Sequence, residues 1–236
     1  MNEPSVDVII PAYLPSQSYL SLLRRALVSL QKQTFHDFKV TLVLNGSFCS
    51  KDDLIAAIRS YNLLWLFDKI TVHDLQKKAS GAIARNYGIS KSRTKYIAQL
   101  DVDDAYMPAK LAKQVDYMNK HENIDFLGTL AMDLMPNGNL MIPKASNTYE
   151  THEQIALNIE KSNVMTHASV IFRRSMFERL GVMYNENHKP GLIWPEYGRP
   201  MWEDWDLWIR LIKDGAVGHN LQENLYVYSL GTSVER

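Results

Sequence analysis

The first half of the chain alternates between short β-branched apolar runs and segments whose apolar residues recur at helical spacing. Residues 6–10 and 38–44 predict buried strands, and 18–33 predicts an amphipathic helix between them. The same criteria predict further helices over 52–61, 79–92 and 108–120, and strands over 64–72 and 96–100. Strands that alternate with helices are usually parallel and joined by right-handed crossovers. This half therefore predicts a parallel sheet flanked by helices.

The second half has a less regular pattern. It predicts strands over 125–132, 140–142, 168–172 and 221–228, and helices over 149–160, 176–180 and 203–213. The first two of these strands flank Asn137-Gly138, which favours a hairpin, and proline and glycine between 185 and 201 favour a long loop. Without a repeat or a flexible linker, we expect one α/β domain over residues 1–236. Its central sheet would be mixed but mostly parallel, with a smaller irregular C-terminal part.

Composition excludes several classes of protein. Lys plus Arg equals Asp plus Glu, at 26 each, so no net charge attracts nucleic acid, and 46% hydrophobic residues exclude disorder. A single cysteine, Cys49, excludes an internal disulfide or a cysteine-rich zinc site. No signal peptide fits the polar first residues, and the apolar cluster at 63–67 is too short to span a bilayer. We expect a cytoplasmic protein, at most peripheral at the inner face of a membrane.

Polar clusters follow three of the predicted strands. They are Pro11-Ala12-Tyr13, Asn45-Gly46-Ser47 and the acidic run 101–104. Parallel α/β sheets bind ligands at the carboxyl ends of their strands. The three clusters therefore predict one binding site at this edge of the sheet.

Asp101 and Asp103 are two residues apart at the end of a predicted strand, so their carboxylates would leave the same face. One interpretation is a Mg²⁺ or Mn²⁺ site, because these ions take one or two carboxylates plus substrate phosphates. The other is a polar strand-to-helix turn, with Asp104 near a helix start. A phosphatase with an aspartyl nucleophile is disfavoured, because its Asp-x-Asp follows the first strand and this one follows the fourth.

Six segments, taken in chain order, resemble the inverting family 2 of GT-A glycosyltransferases. They are VIIPAY (8–13), SLQKQT (29–34), GAIARNYG (81–88), QLDVDD (99–104), SVIFRR (169–174) and EDWDLWIR (203–210). The resemblance implies a Rossmann-like GT-A fold and a metal-dependent transferase of the hexosyltransferase type. It also implies a nucleotide-sugar-binding half over 1–105 and an acceptor-binding and catalytic-base half over 106–236.

The resemblance implies roles for individual residues. Asp204 would be the catalytic base, with Glu203 beside it, and Tyr13 would lie against the nucleotide base. Asp103 would bind the metal, Mn²⁺ or Mg²⁺, and Asp101 would hold the ribose or the metal shell. Arg85 would lie near the phosphates or steady the aspartates. The nucleotide-sugar site would comprise Pro11, Tyr13, Asn45, Arg85, Asp101, Val102 and Asp103. The donor would be a nucleotide-diphospho-sugar, by default a UDP-sugar, and the acceptor a saccharide, a lipid-linked sugar or another hydroxyl compound.

Physical chemistry supports Asp204 separately. Inverting transfer needs a carboxylate that accepts the acceptor hydroxyl's proton. Asp204 lies in the first turn of a predicted helix, where the helix dipole favours its ionised form. The alternative is that Glu203 and Asp204 only complement the helix terminus.

The sequence departs from the family pattern at two places. Leu44 occupies the position of the aspartate that usually reads the base, so Asn45 or the backbone would have to recognise uracil. The tail lacks the usual histidine metal ligand, for which His167 or His219 could substitute. The loop before Glu203 carries aromatic residues that suit an acceptor platform or a lid, or else fix the loop to the core. The candidate acceptor-binding residues are Trp194, Tyr197, Trp202 and His167.

Other functional classes fit less well. A sugar-phosphate nucleotidyltransferase would need a glycine- and lysine-rich loop, and residues 11–18 contain neither residue type. A dehydrogenase would need G-x-G-x-x-G after the first strand, which is missing. A nucleotide-sugar-binding protein that has lost catalysis, or that needs a partner chain, remains the main alternative.

Overall fold

The computed structural model describes residues 3–143, 149–188, 193–194 and 198–231. Their strands are numbered β1 to β11 in chain order. These are Val6–Leu14, Phe38–Ser47, Ile70–Asp74, Tyr96–Gln99, Ala105–Tyr106, Phe126–Leu134, Leu140–Met141, Ile171–Arg173, Ile193–Trp194, Arg199–Pro200 and Gly218–Ser229. The helices, α1 to α7, are Tyr19–Gln31, Lys51–Arg59, Gly81–Lys91, Lys110–Lys120, His152–Asn158, Arg174–Leu180 and Glu203–Lys213.

One large sheet runs through the molecule in the order β3-β2-β1-β4-β8-β6-β11-β5, with β7 paired to β6. Strands β1 to β4 are parallel to one another, as the strand–helix alternation predicts. Strand β8 is antiparallel to both β4 and β6, and β11 is parallel to β6. The predicted α/β fold with a mixed, mostly parallel sheet is confirmed.

The two faces of the sheet are covered by separate hydrophobic clusters. Val8 and Ile10 of β1 face a cluster that includes α1 and α4, whereas Ile9 faces a second cluster that includes α7. Both faces are buried because helices cover both sides of a parallel sheet. The run of consecutive apolar residues in β1 therefore reflects burial on two faces.

Trp208 fixes α7 to the second cluster. Its ring stacks on Phe126 and Phe172, with centroid distances of 5.6 and 5.7 Å. Leu207 and Leu211 of the same helix are also fully buried. This packing holds the first turn of α7, which carries Glu203 and Asp204, in a fixed position.

Several predicted boundaries were wrong. The strand predicted over 64–72 is a 3₁₀ turn at Phe67–Lys69 followed by β3, and the strand predicted over 168–172 is a 3₁₀ turn at His167–Ser169 followed by β8. The predicted loop 185–201 contains the short antiparallel pair β9–β10. Apolar periodicity cannot distinguish a tight turn that buries its side chains from the strand that follows it. The hairpin predicted around Asn137-Gly138 is formed by β6 and β7.

No helix among the described residues is long and apolar enough to cross a membrane.

Candidate active site

A cavity of about 1080 Å³ opens at the carboxyl ends of β1, β2 and β4. This volume is slightly larger than the usual range of ligand pockets, roughly 300–1,000 Å³. Eleven residues proposed from the sequence line it: Pro11, Tyr13, Asn45, Arg85, Asp101, Val102, Asp103, His167, Trp202, Glu203 and Asp204. The fold therefore brings together side chains from both halves of the chain.

Arg85 of α3 joins the two halves through carboxylates. Its Nη2 donates to Asp101 Oδ1 at 2.7 Å, and its Nη1 pairs with Glu203 Oε1. The guanidinium is almost fully buried, and a Cβ at Gly81 would lie 2.6 Å from its Nη1. Burial opposes the charge of Arg85, but Glu203 and Asp101 outweigh it and raise the arginine pKa. The result is a buried ion-pair network with the cation at its centre.

Asp204 lies in the first turn of α7 and is only 8% exposed. Asn163 Nδ2 donates to its Oδ2 at 2.7 Å. Burial raises the pKa of Asp204 and exceeds the opposing effects of Asn163, the Trp205 backbone N–H and Arg85. The Trp205 backbone N–H belongs to the first turn of α7 and favours the ionised form, as a helix terminus does, but burial has the larger effect on the pKa. A raised carboxyl pKa makes the group a better proton acceptor near neutral pH.

Asp104 is a buried carboxyl whose environment the sequence did not reveal. It accepts hydrogen bonds from Tyr226 Oη and, at 2.7 Å, from the Ser229 N–H at the end of β11. Burial, followed by the charges of Asp101 and Asp103, raises its pKa well above the usual value. The suggestion that Asp104 lies near a helix start is wrong, because β5 follows it and α4 begins only at Lys110.

Arg25 of α1 also connects the 101–104 loop to the end of β11. Its Nη2 donates to the backbone carbonyl of Asp103 and, at 2.7 Å, to Ser229 Oγ. Together, Arg25 and Asp104 tie the 101–104 loop to the end of β11. The position of the Asp103 carboxylate therefore depends on residues far away in sequence.

Asn45 presents an amide to the cavity, whereas Leu44 does not line it. Leu44 is 1% exposed and packs in the first hydrophobic cluster. Asn45 Nδ2 donates to the Ala79 carbonyl at 2.8 Å, while its buried Oδ1 has no partner among the described residues. Tyr13 lies nearby with Lys78 Nζ 5.0 Å from its ring centroid. This part of the cavity thus contains an aromatic ring (Tyr13), a cation (Lys78) and a hydrogen-bond acceptor (Asn45).

The candidate acceptor-binding residues lie in different parts of the structure. Trp202, which precedes α7, is 52% exposed and lines the cavity. His167 also lines it, but its Nε2 is 2.8 Å from the Tyr184 hydroxyl. Trp194 belongs to β9, and Tyr197 lies outside the described residues.

The alternative metal ligand suggested from the sequence, His219, does not line the cavity. It lies beside Tyr117, with ring centroids 5.2 Å apart. Within the described ranges, no group of three or more His, Cys, Asp or Glu side chains is arranged to hold a metal ion.

Comparison with known proteins identifies the family. The model of Glycosyl transferase family 2 matches residues 7–181. An uncharacterized glycosyltransferase of Methanocaldococcus jannaschii is 28% identical over 98% of this chain and 72% of its own length. The O-antigen biosynthesis glycosyltransferase WbnJ of Escherichia coli is 24% identical over 86% of this chain and 72% of its own. The amylovoran biosynthesis glycosyltransferase AmsE of Erwinia amylovora is also 24% identical, over 90% and 72%.

Solved structures show the same fold. The crystal structure of S. aureus TarS 1-349 in complex with UDP-GlcNAc superposes with a TM-score of 0.72 at 18% identity. The match covers 98% of this chain and 60% of that one, and only 37% of the longer TarS structure. The chain thus spans less than two thirds of these neighbours, which carry additional segments. The family match and the fold together establish that the chain belongs to glycosyl transferase family 2 and has the GT-A fold.

Proposed function

We propose that this protein transfers a sugar from a nucleotide-diphospho-sugar to an acceptor hydroxyl with inversion at the anomeric carbon. Asp204 accepts the hydroxyl proton as the acceptor oxygen attacks. The bond from the anomeric carbon to the diphosphate breaks, and the nucleoside diphosphate leaves with the electron pair. A single displacement from the opposite face inverts the configuration.

The observation that carries the proposal is the environment of Asp204. Asp204 lines the cavity, and its carboxylate accepts a hydrogen bond from Asn163. The preceding residue, Glu203, is paired to Arg85. Because burial raises the pKa of Asp204, this carboxylate can take up a proton that a solvent-exposed aspartate would not hold. Catalysis needs a base fixed within hydrogen-bonding reach of the attacking oxygen, and the anchored first turn of α7 supplies that rigidity.

The first half of the chain, residues 1–105, supplies the proposed donor site. The ring of Tyr13 would pack against the nucleotide base, and Asn45 Oδ1, which has no partner among the described residues, would accept a base N–H. Uracil, thymine and guanine carry such an N–H, and UDP is the default nucleotide among them. TarS has been solved with UDP and with UDP-GlcNAc, and that likeness supports the same choice here.

The residues of the 101–104 loop fit a hard divalent cation such as Mg²⁺ or Mn²⁺. Asp103 lines the cavity with an oxygen ligand, while one oxygen of Asp101 is engaged by Arg85. Asp103 and Asp101 would hold the ion, and diphosphate oxygens and water would complete its shell. When bound, the ion would neutralise charge on the departing diphosphate.

The second half, residues 106–236, supplies the base and the proposed acceptor site. Relatives named for O-antigen and amylovoran biosynthesis support a saccharide acceptor in polysaccharide assembly. Trp202 at the cavity rim is a candidate platform for that acceptor. The cavity volume would accommodate donor and acceptor together.

A thermal-shift panel followed by turnover tests this proposal. UDP-, GDP-, TDP- and CMP-sugars are added with and without Mn²⁺, because a ligand that binds only the folded state raises the melting temperature. We expect a metal-dependent shift with one nucleotide, then release of its diphosphate with a saccharide acceptor and a product of inverted configuration. Asp204→Asn should keep the shift and lose the turnover. A shift without turnover for any acceptor would instead identify a binding protein, and a retained anomeric configuration would exclude the single displacement.

A further inference from the structure

The cavity contains one carboxylate, that of Asp133, that lies outside both the first turn of α7 and the 101–104 loop. It is half-buried on β6. Four other cavity carboxylates have protein partners: Asp101 and Glu203 pair with Arg85, Asp104 with Tyr226 and Ser229, and Asp204 with Asn163. The Asp133 carboxylate makes no hydrogen bond or ion pair with any residue that the structure describes. It is therefore available to a ligand in the cavity.

The sheet register places Asp133 in a row of three side chains. Tyr228 of β11 pairs directly with Asp133, and Asp133 pairs directly with Met141 of β7. Residues paired across neighbouring strands project from the same face of the sheet and lie side by side. Asp133 and Tyr228 of this row both line the cavity, so their side chains form part of its wall.

The neighbouring row also lines the cavity. Tyr226 pairs with Ala131, and both residues are lining residues. The Tyr226 hydroxyl donates to Asp104, and Ala131 has only a methyl group. The row beside Asp133 therefore adds no charged side chain to the wall.

We propose that Tyr228 and Asp133 bind a neutral sugar ring of the acceptor. The C–H face of the sugar packs on the Tyr228 ring, and two neighbouring hydroxyls donate to the two carboxylate oxygens of Asp133. An ionised carboxylate only accepts hydrogen bonds, so it matches hydroxyl groups and disfavours a phosphate at this position. This inference rests on the proposed transferase activity, because it names the class of the acceptor.

Chemistry along the row favours a sugar over a purely apolar ligand. Tyr228 is 36% exposed, and Met141 is 53% exposed. A lipid chain would bury the Asp133 charge without a partner, which is costly. A sugar instead satisfies the carboxylate while covering the aromatic ring of Tyr228.

Binding of simple glycosides tests the inference without turnover. Saturation-transfer difference NMR is recorded for methyl glucoside, methyl galactoside and methyl mannoside, each with and without UDP and Mg²⁺. We expect saturation transfer to the ring protons of at least one glycoside. Asp133→Asn should raise the dissociation constant by roughly 10-fold or more, since a hydrogen bond to a charged group is lost. Tyr228→Leu should weaken binding similarly, while Tyr228→Phe keeps the ring and most of the affinity.

The matched control is Asp116→Asn, an aspartate exposed on α4 that pairs with Lys120. It should leave glycoside binding unchanged. The inference is overturned if no glycoside receives saturation, or if Asp133→Asn and Tyr228→Leu bind glycosides as the wild type does. If glycosides bind through this row while no nucleotide shifts the melting temperature, the sugar subsite stands and the donor proposal fails.

Discussion

Asn163 Nδ2 and Asp204 Oδ2 are 2.7 Å apart, which joins the segment after α5 to the first turn of α7. The hydrogen bond orients the carboxyl group that we propose as the base. It also opposes the effect of burial on the pKa of Asp204, because a donor to the carboxylate favours the charged form. The Asn163 amide thus affects both the orientation of the Asp204 carboxyl group and its pKa.

Replacing Asn163 should move the pH dependence of transfer. Asn163→Ala removes an influence that lowers the pKa of Asp204, so the acidic limb of the kcat/KM profile should shift to higher pH. Activity should recover in part above the new limb, because the carboxylate is then ionised. An unchanged limb would mean that Asp204 is not the titrating base. Asn158→Ala, on the exposed end of α5, is the control.

Asp204→Asn should cost activity without costing stability at neutral pH. The pKa of Asp204 is raised in the folded protein, so its contribution to stability is complete below the unfolded pKa and is lost as pH rises through the folded pKa. The neutral amide of asparagine does not titrate, so the variant does not lose this stability as pH rises. Each 1 kcal/mol recovered would raise the melting temperature by about 2–4 °C in a domain of this size. A lower melting temperature for the variant at pH 7 would contradict this account.

Arg85→Met should destabilise the fold and remove donor binding together. The substitution leaves the Asp101 and Glu203 carboxylates facing each other without a buried cation, at a cost of about 3–5 kcal/mol in the free energy of unfolding. Urea unfolding measures the loss. Lys120→Met breaks the exposed pair with Asp116 and should cost less than about 1 kcal/mol. Equal losses in the two variants would show that the buried pair has no special role.

Sequence reasoning succeeded where local chemistry determines structure. Helix α7 begins at Glu203 and ends at Lys213, as predicted, because an acidic first turn and apolar residues at helical spacing mark its bounds. The alternation of strands and helices likewise predicted the parallel order of β1 to β4. Tyr13 and Asn45 lie in the last residues of β1 and β2, and Asp103 follows β4, so the sequence could place these cavity residues at one edge of the sheet.

Partners from distant segments could not be predicted. Asp104 contacts Tyr226 because β11 is inserted in the sheet between β6 and β5. Asp204 contacts Asn163 because the segment after α5 lies against the first turn of α7. The antiparallel insertion of β8 between β4 and β6 gives no signal in the sequence, since apolar periodicity does not encode strand direction. Asp133 was overlooked for the same reason, because its row exists only in the sheet register.

Leu44→Asp should not restore a base-reading carboxylate. Leu44 is 1% exposed inside the first hydrophobic cluster, so an aspartate there would be a buried, unpaired charge. We expect a loss of about 3 kcal/mol or more in urea unfolding and no gain in UDP affinity. Leu44→Met conserves volume and should cost less than about 1.5 kcal/mol. A stable aspartate variant that binds UDP more tightly would mean that position 44 reaches the base.

Asp104 connects the 101–104 loop to β11, and two substitutions should distinguish the effect of its hydrogen bonds from the effect of its charge. They are Asp104→Leu and Asp104→Asn. Leucine leaves the Tyr226 hydroxyl and the Ser229 N–H buried without an acceptor, at about 1–3 kcal/mol each. Because Asp103 sits on the same loop, the metal-dependent thermal shift with the donor should fall in the leucine variant. Asparagine keeps one oxygen that accepts from the Ser229 N–H, and its amide N–H can donate to the Tyr226 hydroxyl oxygen. It thus resembles the neutral form that the raised pKa of Asp104 favours, so stability and shift should stay close to wild type. If asparagine were as harmful as leucine, the negative charge of Asp104 itself would be required, and a direct role at the metal would follow.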